Sequence, residues 1–300
     1  MKCPLPGYLR LAYFVRVLRK ADPVPVHVTI FLCVPEHQSA DEVALATSVL
    51  DAKEIGRANR FVFPQDHLAF VVAHGLLRLV LARYAHAPAA ELRFLTTAHG
   101  RPELQVPAGP RRLRFNLSHS RGLVGCAVAF DRDIGFDVER LRLPAPLEVA
   151  DSYFSREELR ELHRLHPARQ PDRFYTLWTL KEAYLKARGV GLGLPLDSFS
   201  ILPAGTTDAY LSPLAPSQAD ARPWTLRHWR LAQHRAALAL QVPRALPRVA
   251  LFEDQRLGAL EFATLSPLDD EPFLGGPMTH AERTRRRHAD GGRLGFIGVR

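Results

Sequence analysis

The sequence predicts an α+β protein made of two pseudo-symmetric α+β lobes in one chain. Three observations point there. Two long helical stretches each precede a cluster of strand-like segments. The order strand, helices, strands occurs twice. No sequence repeat recurs at a fixed period, so the likeness between the halves lies in element order alone. The lobes are expected at residues 24–128 and 129–254, between an N-terminal extension at 1–23 and a basic, disordered tail at 255–300.

The elements follow in order. Residues 26–34, VHVTIFLCV, alternate and are rich in β-branched types, which predicts a strand. Ser48 with Asp51 three residues later resembles a capping box and predicts a helix over LDAKEIGRANRF. Residues 66–84, DHLAFVVAHGLLRLVLARY, carry an apolar stripe without Pro and read as a long buried helix. LRF at 92–94 reads as a short strand, and HGRPEL at 99–104 as a turn or loop. Three strands come next, at 113–119, 123–130 and 134–140, with Asp131 to Asp133 closing a hairpin between the last two. Ser155 and Glu158 form S-x-x-E and open a helix. DRFYTLWTLKEAYLKARG is a further helix, stopped by Gly189. FSIL at 199–202, WTLRHWRL at 224–231 and AALALQV at 236–242 complete the strands.

Composition narrows the function classes. With 300 residues and 47% hydrophobic content, the chain can bury a sizeable core. The formal charge of +9 sits at the two ends: residues 1–22 carry +4, residues 281–300 carry +4, and the middle is nearly neutral. A nucleic-acid role is therefore not expected of the core, and solvated tails account for the charge. Cys3, Cys33 and Cys126 fit no zinc spacing, so a reducing cytoplasm is expected. No run reaches the roughly 18 apolar residues of a membrane span. Arginines interrupt the apolar run near the start, and no signal peptide is expected.

Asp137 and Glu139 stand two apart on a predicted strand, so they share a face. Two adjacent carboxylates repel, and a divalent cation relieves them; a solvent-facing strand edge does so equally well. Glu182 lies on the helix ahead of Lys186, at the spacing of an ordinary i, i+4 pair. Of the 40 basic residues only five are Lys, and Lys181 and Lys186 are two of them. Ser118, His119 and Ser120 cluster at a strand end. There is no G-x-S-x-G elbow, no Walker A segment and no G-x-G-x-x-G after a strand.

Four stretches, in order, resemble the 4′-phosphopantetheinyl transferase superfamily, in its surfactin-type two-lobed branch. They are GRP at 100–102, FNLSHS at 115–120, GFDVER at 135–140 and FYTLWTLKEAYLKARGVGLGLPLDSFS at 174–200. RANRFVF at 57–63 and DHLAFVVAHGLLR at 66–78 also fit the family's first lobe. The resemblance covers about residues 25–245. It implies the family's fold and the transfer of phosphopantetheine from coenzyme A to a serine of an apo acyl, peptidyl or polyketide carrier protein. It implies Mg²⁺ held by Asp137, Glu139 and Glu182, with Glu182 and Lys186 catalytic. It implies coenzyme A contacts at Arg57, Arg101, Pro102, Ser118, His119 and Lys186. Arg101 stands where the family usually has Lys, and Ala69 where many relatives are basic. The carrier is expected to be acidic around its serine, and the enzyme to be a monomer. A magnesium-dependent phosphohydrolase of coenzyme A or nucleotides, a basic nucleic-acid binder and a carrier-binding member without activity are the competing readings.

Overall fold

The computed structural model describes residues 27–98, 100–105, 111–212, 223–242 and 248–258. Expectations for the N-terminal extension, Cys3 and the arginines of 281–300 lie outside these residues. The first strand, β1 (His27–Cys33), leads into α1 (Ala40–Ser48) and α2 (Ala52–Ala58). Each helix has its own capping box, Ser39 with Glu42 and Asp51 with Glu54. The expected box at Ser48 and Asp51 is therefore corrected. Ser48 ends α1, and Asp51 is the N-cap of α2, its carboxylate accepting from the N–H groups of Lys53 and Glu54.

Helix α3 (Pro64–Ala85) fills the position expected of the long buried helix. By length and composition it could cross a membrane, against the expectation that no segment would, but most of that window is buried in the protein's own core. The short pair β2 (Arg93–Thr96) and β3 (Pro102–Gln105) follows, so part of the expected loop at 99–104 is strand. Then come β4 (Leu113–Ser120), β5 (Leu123–Phe130) and β6 (Ile134–Arg140). Beyond them lie α4 (Ala150–Tyr153), α5 (Arg156–Arg164), capped by Ser155 and Glu158, and α6 (Gln170–Arg188). The chain completes β7 (Ile201–Ala204), β8 (Asp208–Leu211), β9 (Thr225–Leu231), β10 (His234–Leu240) and β11 (Arg248–Phe252). Strands β8 and β11 had no counterpart in the expected list.

The strands form a sheet in the order β11-β1-β5-β4, a second in the order β6-β10-β9-β8-β7, and the small β2-β3 pair. Pseudo-symmetry is visible in the pairing. The first strand of each lobe, β1 or β6, pairs antiparallel with that lobe's last hairpin strand, β5 or β10, whose partner is β4 or β9. The expected β5–β6 hairpin is corrected. At Asp131 the chain takes a left-handed turn (φ 58°) and passes from one sheet into the other. The physical reason is packing. Both edges of β5 are taken, by β1 and β4, so β6 packs across its face, and the Phe136 ring lies where a side chain at Gly125 would be, 2.3 Å from an ideal Cβ.

Val28, Ile30, Leu32 and Ala127 meet Ile134, Phe136, Val138 and Leu238 in the core between the sheets. Helix α3 covers the outer face of the first sheet, and α6 that of the second. Strand β11 runs parallel to β1, with Val28 opposite Val249, although it lies in the stretch expected to belong to the second lobe. Residues 254–258 continue this return: Leu257 is buried in the first lobe's core, and Arg256 pairs with Glu42. The described start of the expected tail is thus docked. Cys33 and Cys126 are free and buried, and burial pushes the Cys33 thiol up to about 12.

Candidate active site

Strand β6 is the centre of the site, and GFDVER explains why. An ideal Cβ on Gly135 would lie 2.0 Å from the Ala183 carbonyl oxygen and 2.4 Å from the Ala187 nitrogen. Only a glycine lets the backbone of α6 lie directly on β6. That approach brings Glu182 and Lys186 to Asp137 and Glu139. Gly189 then ends α6 in the left-handed conformation (φ 65°), where other residues are strained.

Asp137 is 4% exposed. Its Oδ1 accepts from Lys186 Nζ at 2.6 Å and from Ser118 Oγ at 2.9 Å. Its Oδ2 is buried and, among the described residues, has no hydrogen-bond partner. Glu139 and Glu182 are half-buried, and both carboxyls are held above the ordinary carboxylate range, first by burial and next by the charge of Asp137. The three carboxylates therefore share one negative field. Among the described residues, no three His, Cys, Asp or Glu side chains are arranged closely enough to hold a metal ion. The donor chemistry suits a hard cation nonetheless: all three groups are oxygen donors, and Asp137 Oδ2 is an orphan that burial makes unfavourable.

FNLSHS has a role beyond single contacts. Asn116, Ser118 and Ser120 alternate along β4, so they point the same way. Asn116 Oδ1 accepts from Phe136 N at 3.0 Å, Ser118 Oγ from Val138 N at 3.3 Å, and Ser120 Oγ from Arg140 N at 2.9 Å. These side chains bridge edge strand β4 of one sheet to edge strand β6 of the other and satisfy N–H groups that a bare edge leaves unpaired. Ser120 also donates to Glu139 Oε2 at 3.2 Å. Sequence reasoning missed Asn116 and Ser120. Their signal was the polar alternation N-x-S-x-S on a strand.

The expected coenzyme A residues divide into two groups. Ser118, expected to touch the ligand, is bonded within the protein. Its hydroxyl gives its one hydrogen to Asp137 and accepts from Val138 N and Lys186 Nζ, which uses its whole capacity. Arg101 is also committed. Its Nη1 donates to Ala187 O at 3.0 Å and its Nη2 to Ile134 O at 3.2 Å, with Asp133 3.7 Å away. Burial, then the charge of Arg114, lowers its guanidinium to about 10. Pro102 is exposed at the start of β3. His119 and Arg57, by contrast, face solvent. Arg57 lies 5.3 Å over the Phe70 ring, which stacks on His74 at 4.1 Å. The His119 imidazole is lowered by desolvation among its neighbours, then by the charges of His74 and Lys186. Lys181, the lysine beside Glu182, is fully buried and bonds Glu158 Oε2 at 2.8 Å.

Residues 133–241 match the 4′-phosphopantetheinyl transferase superfamily, and residues 37–130 match its N-terminal family. The 4′-phosphopantetheinyl transferase HetI of Nostoc sp. is 34% identical over 195 residues, 64% of this chain and 78% of its own length. The chain belongs to the 4′-phosphopantetheinyl transferase superfamily. The transferase Sfp of Bacillus subtilis is 35% identical over 164 residues, 54% of this chain and 70% of its own. The mouse L-aminoadipate-semialdehyde dehydrogenase-phosphopantetheinyl transferase is 24% identical but spans 83% of this chain and 86% of its own. The protein is an enzyme of this family, a 4′-phosphopantetheinyl transferase that modifies carrier proteins. Coenzyme A is the family's donor.

Proposed function

We propose that the carboxylate and lysine cluster of β6 and α6 moves 4′-phosphopantetheine from coenzyme A to a serine hydroxyl of an apo acyl, peptidyl or polyketide carrier, releasing adenosine 3′,5′-bisphosphate. The observation that supports it best is the buried Oδ2 of Asp137, without a hydrogen-bond partner among the described residues, on a carboxylate whose charge adds to burial in raising the proton affinity of Glu139 and Glu182. Asp137, Glu139 and Glu182 would hold magnesium, which supplies charge neutralisation at the diphosphate and the departing bisphosphate when bound.

The chain's own residues do the rest. Ser118 fixes Asp137 and Lys186 relative to one another. The Lys186 side chain is 30% exposed, so its ammonium can turn from Asp137 toward a phosphate oxygen. Glu182, with its raised proton affinity, takes the proton of the attacking serine. Arg57 and His119, both open to solvent, receive the 3′-phosphate end of coenzyme A. Arg101 and Ser118 support the site from beneath; they hold α6 and Asp137 in place. Both lobes meet along β4 and β6 within one chain, which supports a monomer. The free buried thiols agree with action in a reducing cytoplasm. The carrier is proposed to be acidic around its serine.

Mass spectrometry of apo carriers after incubation with coenzyme A and Mg²⁺ tests this reading. The expected result is a phosphopantetheine mass increment on one serine. Adenosine bisphosphate released equally without any carrier would replace the transferase reading with a phosphohydrolase.

A further inference from the structure

At the opposite end of α6 from Lys186, the first turn of the helix and strands β9 and β10 border a cavity of about 510 Å³. Arg169, Arg173, Arg230 and Arg235 line it, and Asp172 is its one acidic lining residue. Asp172 is already engaged at both carboxylate oxygens. Its Oδ2 accepts from Arg230 Nη2 at 2.6 Å, and its Oδ1 is held by Arg235. Arg235 is nearly buried and spends Nη1 on the carbonyls of Leu231 and His234. One of the four cationic charges is therefore neutralised, and the wall keeps an excess of three. Among the described residues, neither Arg169 nor Arg173 donates a side-chain hydrogen bond. Leu165 and Ala168 supply a less polar wall.

The field of these arginines reaches into the core. His228, buried on β9, has its imidazole pushed down to about 4, by burial first and then by the charges of Arg230 and Arg173. Asp172 precedes Glu182 by ten residues on α6, about 15 Å at 1.5 Å per residue, so the cavity is separate from the carboxylate site of β6 and α6.

We propose that this cavity is a second ligand site, which binds a phosphate-bearing small molecule. Guanidinium groups match phosphate oxygens with paired hydrogen bonds, and two of them are uncommitted here. The volume falls in the range of small-molecule sites. The positive end of α6 adds to the attraction without creating it. Asp172 orients Arg230 and Arg235 toward the ligand.

Inorganic pyrophosphate is the probe, titrated calorimetrically into the full chain at low salt without divalent metal. Three variants accompany the parent: Arg169→Gln with Arg173→Gln, Arg169→Gln alone, and Lys186→Ala as a control at the β6–α6 site. Arg169→Gln alone changes only an exposed side chain and keeps the test open if the double variant does not fold. The double variant is expected to bind at least about tenfold more weakly, the loss of one charge-assisted contact or more. Lys186→Ala is expected to retain this binding, and transfer at saturating substrate is expected to be unchanged in the double variant. Affinity is expected to fall as sodium chloride rises. Parent-like binding in the arginine variants, loss only in Lys186→Ala, or no binding by the parent overturns the proposal.

Discussion

Helix α6 carries two lysine–carboxylate pairs five residues apart, and they are built differently. Lys181 and Glu158 are both 0% exposed at the side chain. Lys181 Nζ donates to Glu158 Oε2, Leu196 O and Phe199 O, and Glu158 also accepts from Ser155 N and Ile201 N. All three ammonium hydrogens are used, and the pair ties α6 to the start of α5 and to β7. Lys186 and Asp137 are less complete. The lysine is 30% exposed, and one carboxylate oxygen of Asp137 is buried without a partner. A buried ion pair that satisfies every group holds a structure together. A buried carboxylate left half satisfied is tolerated where a ligand completes it.

The largest test breaks both pairs at once. Gly135→Ala places a methyl group 2.0 Å from a backbone oxygen of α6, so helix and strand must part. The expected outcome is loss of cooperative unfolding by circular dichroism. A melt within a few degrees of the parent would show that the close approach does not position α6.

Next, Lys181→Met should separate the pairs. It leaves Glu158 buried without its cation and should cost about 3–5 kcal/mol. Urea unfolding measures it, and transfer per folded molecule should stay near the parent's. A larger loss of transfer than of stability would place Lys181 in the chemistry.

Asp137→Asn should do the reverse. We expect transfer to fall by about a hundred- to a thousandfold, the usual scale for removing one preorganised electrostatic group. The melting temperature should stay near the parent's, because the lost ion pair leaves a Lys186 that is 30% exposed and can be solvated, while the unsatisfied buried carboxylate oxygen is removed. Near-normal transfer would take Asp137 out of the site.

The smallest effect sharpens the comparison with a third, more exposed pair. Burial raises the Glu42 carboxyl, but hydrogen bonds from Arg256, Ser39 and Gly258 outweigh it and bring it down to about 2. Its folded pKa lies below the unfolded value, so the stabilisation is complete above about 4.5 and fades as pH falls toward 2. Acid titration of stability should show a step in that window that Glu42→Gln flattens. Salt should weaken it, since the Arg256 side chain is 46% exposed.

Much of the site was legible because its signals are short. Asp137 and Glu139 share a face by strand alternation, Ser155 and Glu158 form their cap within one turn, and Gly189 stops α6 where a left-handed residue is needed. Order along the chain then linked GRP, FNLSHS, GFDVER and the α6 motif to one family. The misplaced cap at Ser48 failed on a competing choice nearby: Asp51 has Glu54 three residues on, and its carboxylate also reaches Arg78.

The sequence by itself determined the element types, the two-lobed order and the identity of the acidic residues, because periodicity, caps and glycine stops act over a few residues. Only the tertiary structure decided which donors are already spent. It sent β6 away from β5, returned β11 to β1 across 215 residues of chain, and committed Ser118 to Asp137 and Arg101 to the end of α6. Those outcomes depend on what can approach, a ring at Gly125 and a helix backbone at Gly135, and on which polar groups must then be satisfied. No local pattern carries that information, because the partner lies in another part of the chain.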